Sequence, residues 1–347
     1  MTRIPVAVLG ATGAVGQKCI ALLAGHPWFE VAQVVASAER IGLRYGETVR
    51  WRETTPLPAD VASLTLSAAE PQPGIRIAIS ALDASVARDV EPLFAAAGVI
   101  VVSNASAYRM ADDVPLVIPE VNASHLRMVQ RQRATRGWTG AIVANPNCST
   151  AAFITAVAPL HREFGIRRAV VATLQAASGA GYPGVPSLDL IDNVIPHIGG
   201  EEEKITAECR KLLGDIDDDE ASAANIDVSP MVHRVPVLDG HLVSASLEFE
   251  REVTPAGATH VLQSFRAEDR VAHLPSSPER VIEVDSREDR PQPRLDRDRG
   301  RGMTVTVGRI RPCPVFHLRL VALGHNLVRG AAGAAIQNAE LVTAVKL

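Results

Sequence analysis

The chain opens with Ile4-Pro5-Val6-Ala7-Val8-Leu9, followed at once by Gly10-Ala11-Thr12-Gly13-Ala14-Val15-Gly16. The first six residues read as a short apolar strand, and the glycines as its turn into a helix over 14–24. Small residues at such a turn let the backbone approach a pyrophosphate, whose charge then rests on the helix N-terminus. The spacing is GxxGxxG rather than GxGxxG. Placement after an N-terminal strand, more than the glycines themselves, favours a dinucleotide site over a structural turn. The second strand ends Val35-Ala36-Ser37-Ala38-Glu39-Arg40. Ser37 and Arg40 suit a 2′-phosphate, whereas Glu39 suits a ribose hydroxyl; the balance favours NADP over NAD.

Strand-like runs at 31–37, 76–81, 99–103 and 141–144 alternate with helical patterns at 85–97 and 123–134. That alternation predicts a doubly wound parallel sheet. Beyond residue 148 the strands lengthen and alternate (170–176, 242–249, 303–310, 316–323), which fits an antiparallel sheet with helices on one face. The length, 347 residues, suggests two domains, and an apolar content of 47% is ample for both cores. A net charge of −4 calls for neither nucleic acid nor an anionic membrane, and no apolar run is long enough to span a bilayer. The first residues show no basic n-region or cleavage site, and Cys19, Cys148, Cys209 and Cys313 form no CxxC. A reducing cytoplasm is expected, with no disulfide framework and no metal site. The acidic run 215–220 reads as a surface loop. The stretch 285–301, with six Arg against five Asp and Glu, reads as a solvated connection.

Cys148 lies in Ala144-Asn145-Pro146-Asn147-Cys148-Ser149-Thr150, directly before an apolar helical run at 151–160. A thiol at a helix N-terminus is expected to be stabilised as thiolate, and first-turn N–H groups suit an oxyanion. This points to covalent thiol chemistry on an acyl or aldehyde carbon. His241 follows Arg234 by seven residues across Asp239-Gly240. The arginine is a planar fork for a carboxylate, and a histidine with a pKa near neutrality suits proton transfer. Gln175 ends what reads as a buried apolar strand, so it is either structural or lines a site. Glu201-Glu202-Glu203-Lys204 opens a helix, where acidic capping alone would explain it. Arg109 follows a strand at the edge that faces the ligand crevice of an α/β sheet.

Taken together, the segments GATGAVGQ (10–17), SNASAYRM (103–110), IPEVN (118–122), NPNCST (145–150), QAASGAGYPGVPSLDLIDNVIPHIGGEEEKI (175–205), HRVPVLDGH (233–241), RPQPRLDRDRGRGMTVTVGRIR (290–311) and GHNLVRGAAGAAIQNAEL (324–341) resemble the aspartate-semialdehyde dehydrogenases, in their archaeal and fungal branch. The resemblance runs nearly end to end. It implies Cys148 as acyl-thioester nucleophile, His241 as acid–base and Gln175 as the residue orienting the thioester. Arg234 would clamp the substrate α-carboxylate and Glu201 its ammonium, while Lys204, Arg109 and Asn104 would hold phosphate. Gly10, Thr12, Gly13, Ala14, Val15, Ser37 and Arg40 would bind NADP, with Ser178, Gly179 and Asn326 near the nicotinamide.

The implied fold is α/β: a Rossmann-like NADP-binding domain over 1–147, completed by a C-terminal helix within 326–347, and an α+β catalytic and dimerisation domain over 148–325 with a largely antiparallel sheet. The implied reaction is NADPH-dependent conversion of 4-phospho-L-aspartate to L-aspartate 4-semialdehyde and phosphate, in a homodimer or homotetramer. Competing readings are a malonyl-CoA reductase or an N-acetyl-glutamyl-phosphate reductase of the same superfamily. A non-catalytic nucleotide-binding homologue is the reading from another class.

Overall fold

In the computed structural model, which describes residues 3–347, the opening apolar run is β1 (Ile4–Leu9) and the glycine turn leads into α1 (Ala14–Leu23). The first sheet adds β2 (Phe29–Val35), a two-residue β3 (Leu66–Ser67), β4 (Ile77–Ser80), β5 (Ile100–Ser103) and β6 (Ala141–Ala144). Between β4 and β5 runs α2 (Ala84–Ala96), and α3 (Met128–Arg136) precedes β6. All neighbouring strands are parallel, in the order β3-β2-β1-β4-β5-β6. The order reverses at β1 and β4, so the crevice at their C-terminal ends is the natural ligand site. Every residue of β4, β5 and β6 is buried, as expected for parallel strands covered on both faces. The helix expected over 123–134 is broken. A 3-10 segment at Ala123–Arg127 precedes α3, because the Asn122 side chain bonds back to Ile118, Leu116 and His125 and tightens the turn.

From β6 the chain passes through Asn145-Pro146-Asn147 into α4 (Cys148–Phe164). It continues as β7 (Ile166–Gln175), α5 (Glu201–Leu212), a surface hairpin of β8 (Ile216–Asp217) and β9 (Glu220–Ala221), β10 (Asp227–Arg234) and β11 (His241–Phe249). Then come α6 (Pro255–Ser264), β12 (Ile282–Asp285), β13 (Val305–Pro312) and β14 (Leu318–Gly324). The second sheet runs β10-β7-β11-β14-β13-β12. Its three inner pairs are antiparallel and its two outer pairs parallel. The sheet is therefore mixed and largely antiparallel. The edge strands β10 and β12 escaped the sequence reading because polar residues and Pro230 interrupt their alternation.

Two further expectations are corrected. The run 170–174 is not buried on both faces: Val170 and Leu174 are 37% and 39% exposed, because helices cover only one face of the sheet. Nor is 285–301 a loose connection. Asp296 is buried and takes both Arg290 and Arg299, and Arg299 also reaches Glu283 and Asp285.

One hydrophobic cluster joins Leu9, Phe94 and Val101 of the first layer to Phe153 and Val157 of α4 and on to Val243 and Leu247 of the second sheet. The two sheets therefore share a core through α4. The C-terminal segment, expected as one helix over 327–344, begins as a π-helical turn (Val328–Ala332) and continues as α7 (Gly333–Ala344). Ala335 and Ile336 of α7 pack with Val8, Ile20 and Ile79. This return is pinned by a buried ion pair. Arg329 donates to both Glu120 oxygens at 2.7 and 2.9 Å, Gln337 adds 2.8 Å, and Arg329 Nε meets the Met303 carbonyl at 2.8 Å. Burial raises the Glu120 pKa, but Arg329 and Gln337 outweigh it and hold the carboxyl below its ordinary value. Glu120→Ala is expected to cost about 3–5 kcal/mol, because it leaves a buried guanidinium unpaired, and the double variant Glu120→Met/Arg329→Met is expected to cost less. Thermal unfolding of the three proteins measures the difference.

Candidate active site

Strand register sets a row of side chains across one end of the second sheet. Arg234 of β10 is paired with Gln175 of β7, Leu242 of β11 with Leu174, and His241 with Gly324 of β14. Arg234, Gln175 and His241 therefore end three adjacent strands. β7 lies between the other two, so the Asp239-Gly240 turn is not a hairpin tip. Residues 235–240 instead cross the end of β7, where Val237 and Leu238 carbonyls accept from Ala177 and Ser178.

The N-terminus of α4 meets this row. Cys148 is its first residue, and Sγ lies 3.1 Å from His241 Nε2. The Ala176 N–H donates to His241 Nδ1 at 3.0 Å, which assigns the proton of the neutral ring to Nε2, facing sulfur. Two glycines permit this approach. A Cβ on Gly330, in the π-helical turn, would stand 2.5 Å from the Cys148 Cβ; one on Gly179 would stand 2.7 Å from Arg234 Nη1 and 3.0 Å from His241 Nε2.

The electrostatics differ from the sequence expectation. Burial, reinforced by the negative charge of Glu201, pushes the Cys148 thiol up to about 12 despite Arg109 and Arg234 nearby. Burial and the Arg234 charge push His241 down to about 3, not to neutrality. The helix end does not yield a resting thiolate. The Asn147 side chain caps it, accepting from the Ser149 and Thr150 N–H groups. Both shifts favour a neutral thiol beside a neutral imidazole.

Around the pair, Asn147 Nδ2 reaches both Glu201 oxygens at 2.8 and 2.9 Å, and Gln175 Nε2 lies 3.3 Å from Glu201. Lys204 sits 3.5 Å from Glu201 and is half-exposed. Arg234 donates Nη1 to the Ala176 carbonyl at 2.8 Å. Arg109 is buried; it donates to Glu208 at 3.0 Å and to the Asn104 carbonyl at 2.6 Å, and its Nε is buried with no partner. Asn104 accepts from Asn145 at 2.9 Å, linking the ends of β5 and β6. Asn326 spans to Ser178 and to the Gly240 N–H, both at 2.8 Å, beside Gly179.

The glycine turn forms the second part of the site. Gly10 takes φ +76°, and a Cβ there would stand 2.7 Å from the Ala81 carbonyl; one on Gly16 would stand 2.3 Å from the Gly10 carbonyl. Gly13 caps α1 with no side chain in the way, and Thr12, Ala14 and Val15 are half-buried beside it. That backbone cradle fits a dinucleotide phosphate. Ser37 and Arg40 are exposed at the end of β2, apart from the Cys148 cluster. Among the described residues no group of His, Cys, Asp and Glu is placed to hold a metal, and no helix is long and apolar enough to cross a membrane.

Comparison with known proteins agrees with this fold. A model described as the semialdehyde dehydrogenase NAD binding domain matches residues 5–129, and one described as its dimerisation domain matches 157–329. The aspartate-semialdehyde dehydrogenase of Archaeoglobus fulgidus is 51% identical over 346 residues, 99% of each chain. That of Schizosaccharomyces pombe is 43% identical, covering 97% of each. The chain belongs to the aspartate-semialdehyde dehydrogenase family. A crystal structure of the Candida albicans member with NADP superposes with a TM-score of 0.91 at 38% identity, covering 99% of each chain. A Vibrio cholerae member complexed with ASA superposes at 0.77 and 27% identity, again over 99% of each.

Several residues of this dehydrogenase site went unread in sequence. Glu208 and Lys211 share helical spacing with Glu201 and Lys204, a signal that was available. Asn147 reads only as a cap. Gly330 and Tyr45, whose hydroxyl donates to the Ala11 carbonyl under the glycine turn at 2.8 Å, have no local signal.

Since only the thiolate is alkylated, carboxamidomethylation of Cys148 in ligand-free protein is expected to rise about tenfold per pH unit between about pH 6 and 9. A plateau from pH 6 upward would indicate a resting thiolate–imidazolium pair instead. Gly330→Ala is expected to cost about 1–3 kcal/mol by overpacking and to slow the same alkylation, read by unfolding and by mass spectrometry.

Proposed function

We propose that the chain catalyses NADPH-dependent reductive dephosphorylation of 4-phospho-L-aspartate to L-aspartate 4-semialdehyde, and the reverse oxidation with phosphate. The observation that carries this is the 3.1 Å contact between Cys148 Sγ and His241 Nε2, with Arg234, Glu201 and Arg109 close by. Sulfur attacks the acyl carbon, the acyl–oxygen bond breaks, and the thiol proton leaves on phosphate. His241 Nε2–H donates a hydrogen bond to the developing thiolate; as acid–base it then gives this proton to the oxyanion of the hemithioacetal and takes it back as the hemithioacetal collapses. The bound dinucleotide supplies the hydride that reduces the thioester. Collapse of the hemithioacetal returns the thiolate, which takes a proton from solvent. Gln175 orients the thioester beside Glu201.

Arg234 clamps the α-carboxylate and Glu201 faces the ammonium. Lys204, Arg109 and Asn104 hold phosphate; the unpartnered Arg109 Nε is a donor awaiting an anion. Gly10, Thr12, Gly13, Ala14, Val15, Ser37 and Arg40 hold NADP, and Ser178, Gly179 and Asn326 flank its reacting ring. We assign residues 1–147 with 326–347 to the nucleotide half and 148–325 to the catalytic half. The open face of the second sheet, with Met231 52% exposed beside Val170 and Leu174, suits a homodimer or a dimer of dimers. The reaction places the enzyme in cytoplasmic synthesis of lysine, diaminopimelate, threonine and methionine.

Phosphate-dependent NADP reduction with L-aspartate 4-semialdehyde tests the reading. Cys148→Ser is expected to lower kcat by at least about a thousandfold and His241→Gln by about 10²–10⁴-fold. Turnover of malonyl-CoA in place of the semialdehyde would move the function to that reductase.

A further inference from the structure

One face of α5 carries Glu201, Lys204, Glu208 and Lys211, at helical steps of three and four. A cavity of about 800 Å³ beside the helix is lined by Glu202, Glu203, Thr206 and Arg210, and Lys211 stands at its edge. Glu201 bonds Asn147, the residue before Cys148, and Lys204 lies 3.5 Å from Glu201, whereas Glu208 and Lys211 bond other groups. Glu208 is 1% exposed. One of its oxygens accepts from the Asn147 N–H at 2.6 Å and the other from Arg109 Nη1 at 3.0 Å. A single carboxylate thus ties the residue preceding Cys148 to a buried arginine. Lys211 directs its ammonium at three backbone carbonyls, those of Arg109, Ala111 and Val114, at 2.8, 2.7 and 2.7 Å. An ammonium has three protons, so none remains for a ligand. Lys211 therefore shapes the turn on which Arg109 stands.

We propose that Glu208 and Lys211 are positioning residues, Glu208 coupling the nucleophile's backbone to Arg109 and Lys211 fixing the Arg109 turn. This rests on the reading of Arg109 as a phosphate-holding residue. The guanidinium is held by Glu208 through Nη1 and by the Asn104 carbonyl through Nη2, and its Nε is buried with no partner. Replacing the carboxylate by an amide leaves one oxygen for two donors, so either the Asn147 contact or the Arg109 contact becomes donor against donor.

The test uses the full chain as wild type, Glu208→Gln and Lys211→Met. Three quantities are measured: KM for phosphate in the oxidative direction, NADP affinity by fluorescence, and the rate of Cys148 carboxamidomethylation with and without phosphate. Lys211→Met is expected to raise the phosphate KM about tenfold or more, the scale of one hydrogen bond to a charged group, with a smaller change in kcat. NADP affinity and the alkylation rate without phosphate should stay at the wild-type values. Glu208→Gln is expected to raise the phosphate KM and also to change Cys148 alkylation several-fold. Lower melting temperatures with unchanged phosphate KM and unchanged alkylation would assign both residues to stability alone and overturn the proposal. If Glu208→Gln does not fold, the phosphate KM of Lys211→Met decides. If wild type shows no phosphate-dependent turnover, the functional reading fails separately. Cys148 alkylation in Glu208→Gln then decides, and a wild-type rate overturns the coupling.

Discussion

The contact between Cys148 and His241 is the constraint around which the two halves are arranged. The thiol stands where the chain leaves the last strand of the first sheet, and the imidazole stands at the start of β11 in the second. A 3.1 Å contact between residues 93 positions apart requires the two sheets to keep one relative placement. Three features provide it. The apolar body of α4 belongs to the core of both sheets. The C-terminal return lays Gly330 against Cys148 and is held by the Glu120–Arg329 pair. The polar face of α5 reaches the nucleophile loop through Glu201 and Glu208.

Burial sets the chemistry of the resting pair. In water a thiol and an imidazole separated by 3 Å exchange a proton readily; here desolvation penalises both charged forms, and the Ala176 N–H occupies the ring nitrogen that an imidazolium would need to protonate. Arg234 and Arg109 supply positive charge beside the pair.

Much of this was legible in sequence wherever a function depends on local backbone. The glycine turn, the strand–helix alternation of the first half and the Asn-Pro-Asn-Cys entry into a helix each use a few adjacent residues whose conformational demands show in their identity. Residues that act through long-range pairing were harder to read. Val170 and Leu174 read as buried because periodicity cannot tell which sheet face remains open. The edge strands β10 and β12 lack clean alternation, and one of them carries Arg234. The stretch 285–301 balances its charges in sequence, but their pairing into a partly buried network depends on which arginine reaches Asp296.

By itself the sequence determined the strand–helix alternation of the nucleotide-binding half, because turn chemistry, caps and apolar periodicity are written within a few residues. Tertiary structure alone decided that β7 separates the strands of Arg234 and His241, that Gly330 makes room for the thiol, and that Glu208 joins Arg109 to the Asn147 backbone. It also decided the direction in which the Cys148 and His241 pKa values move. A pKa depends on every charge and every solvent molecule excluded within several ångströms, and that environment exists only once distant segments have packed.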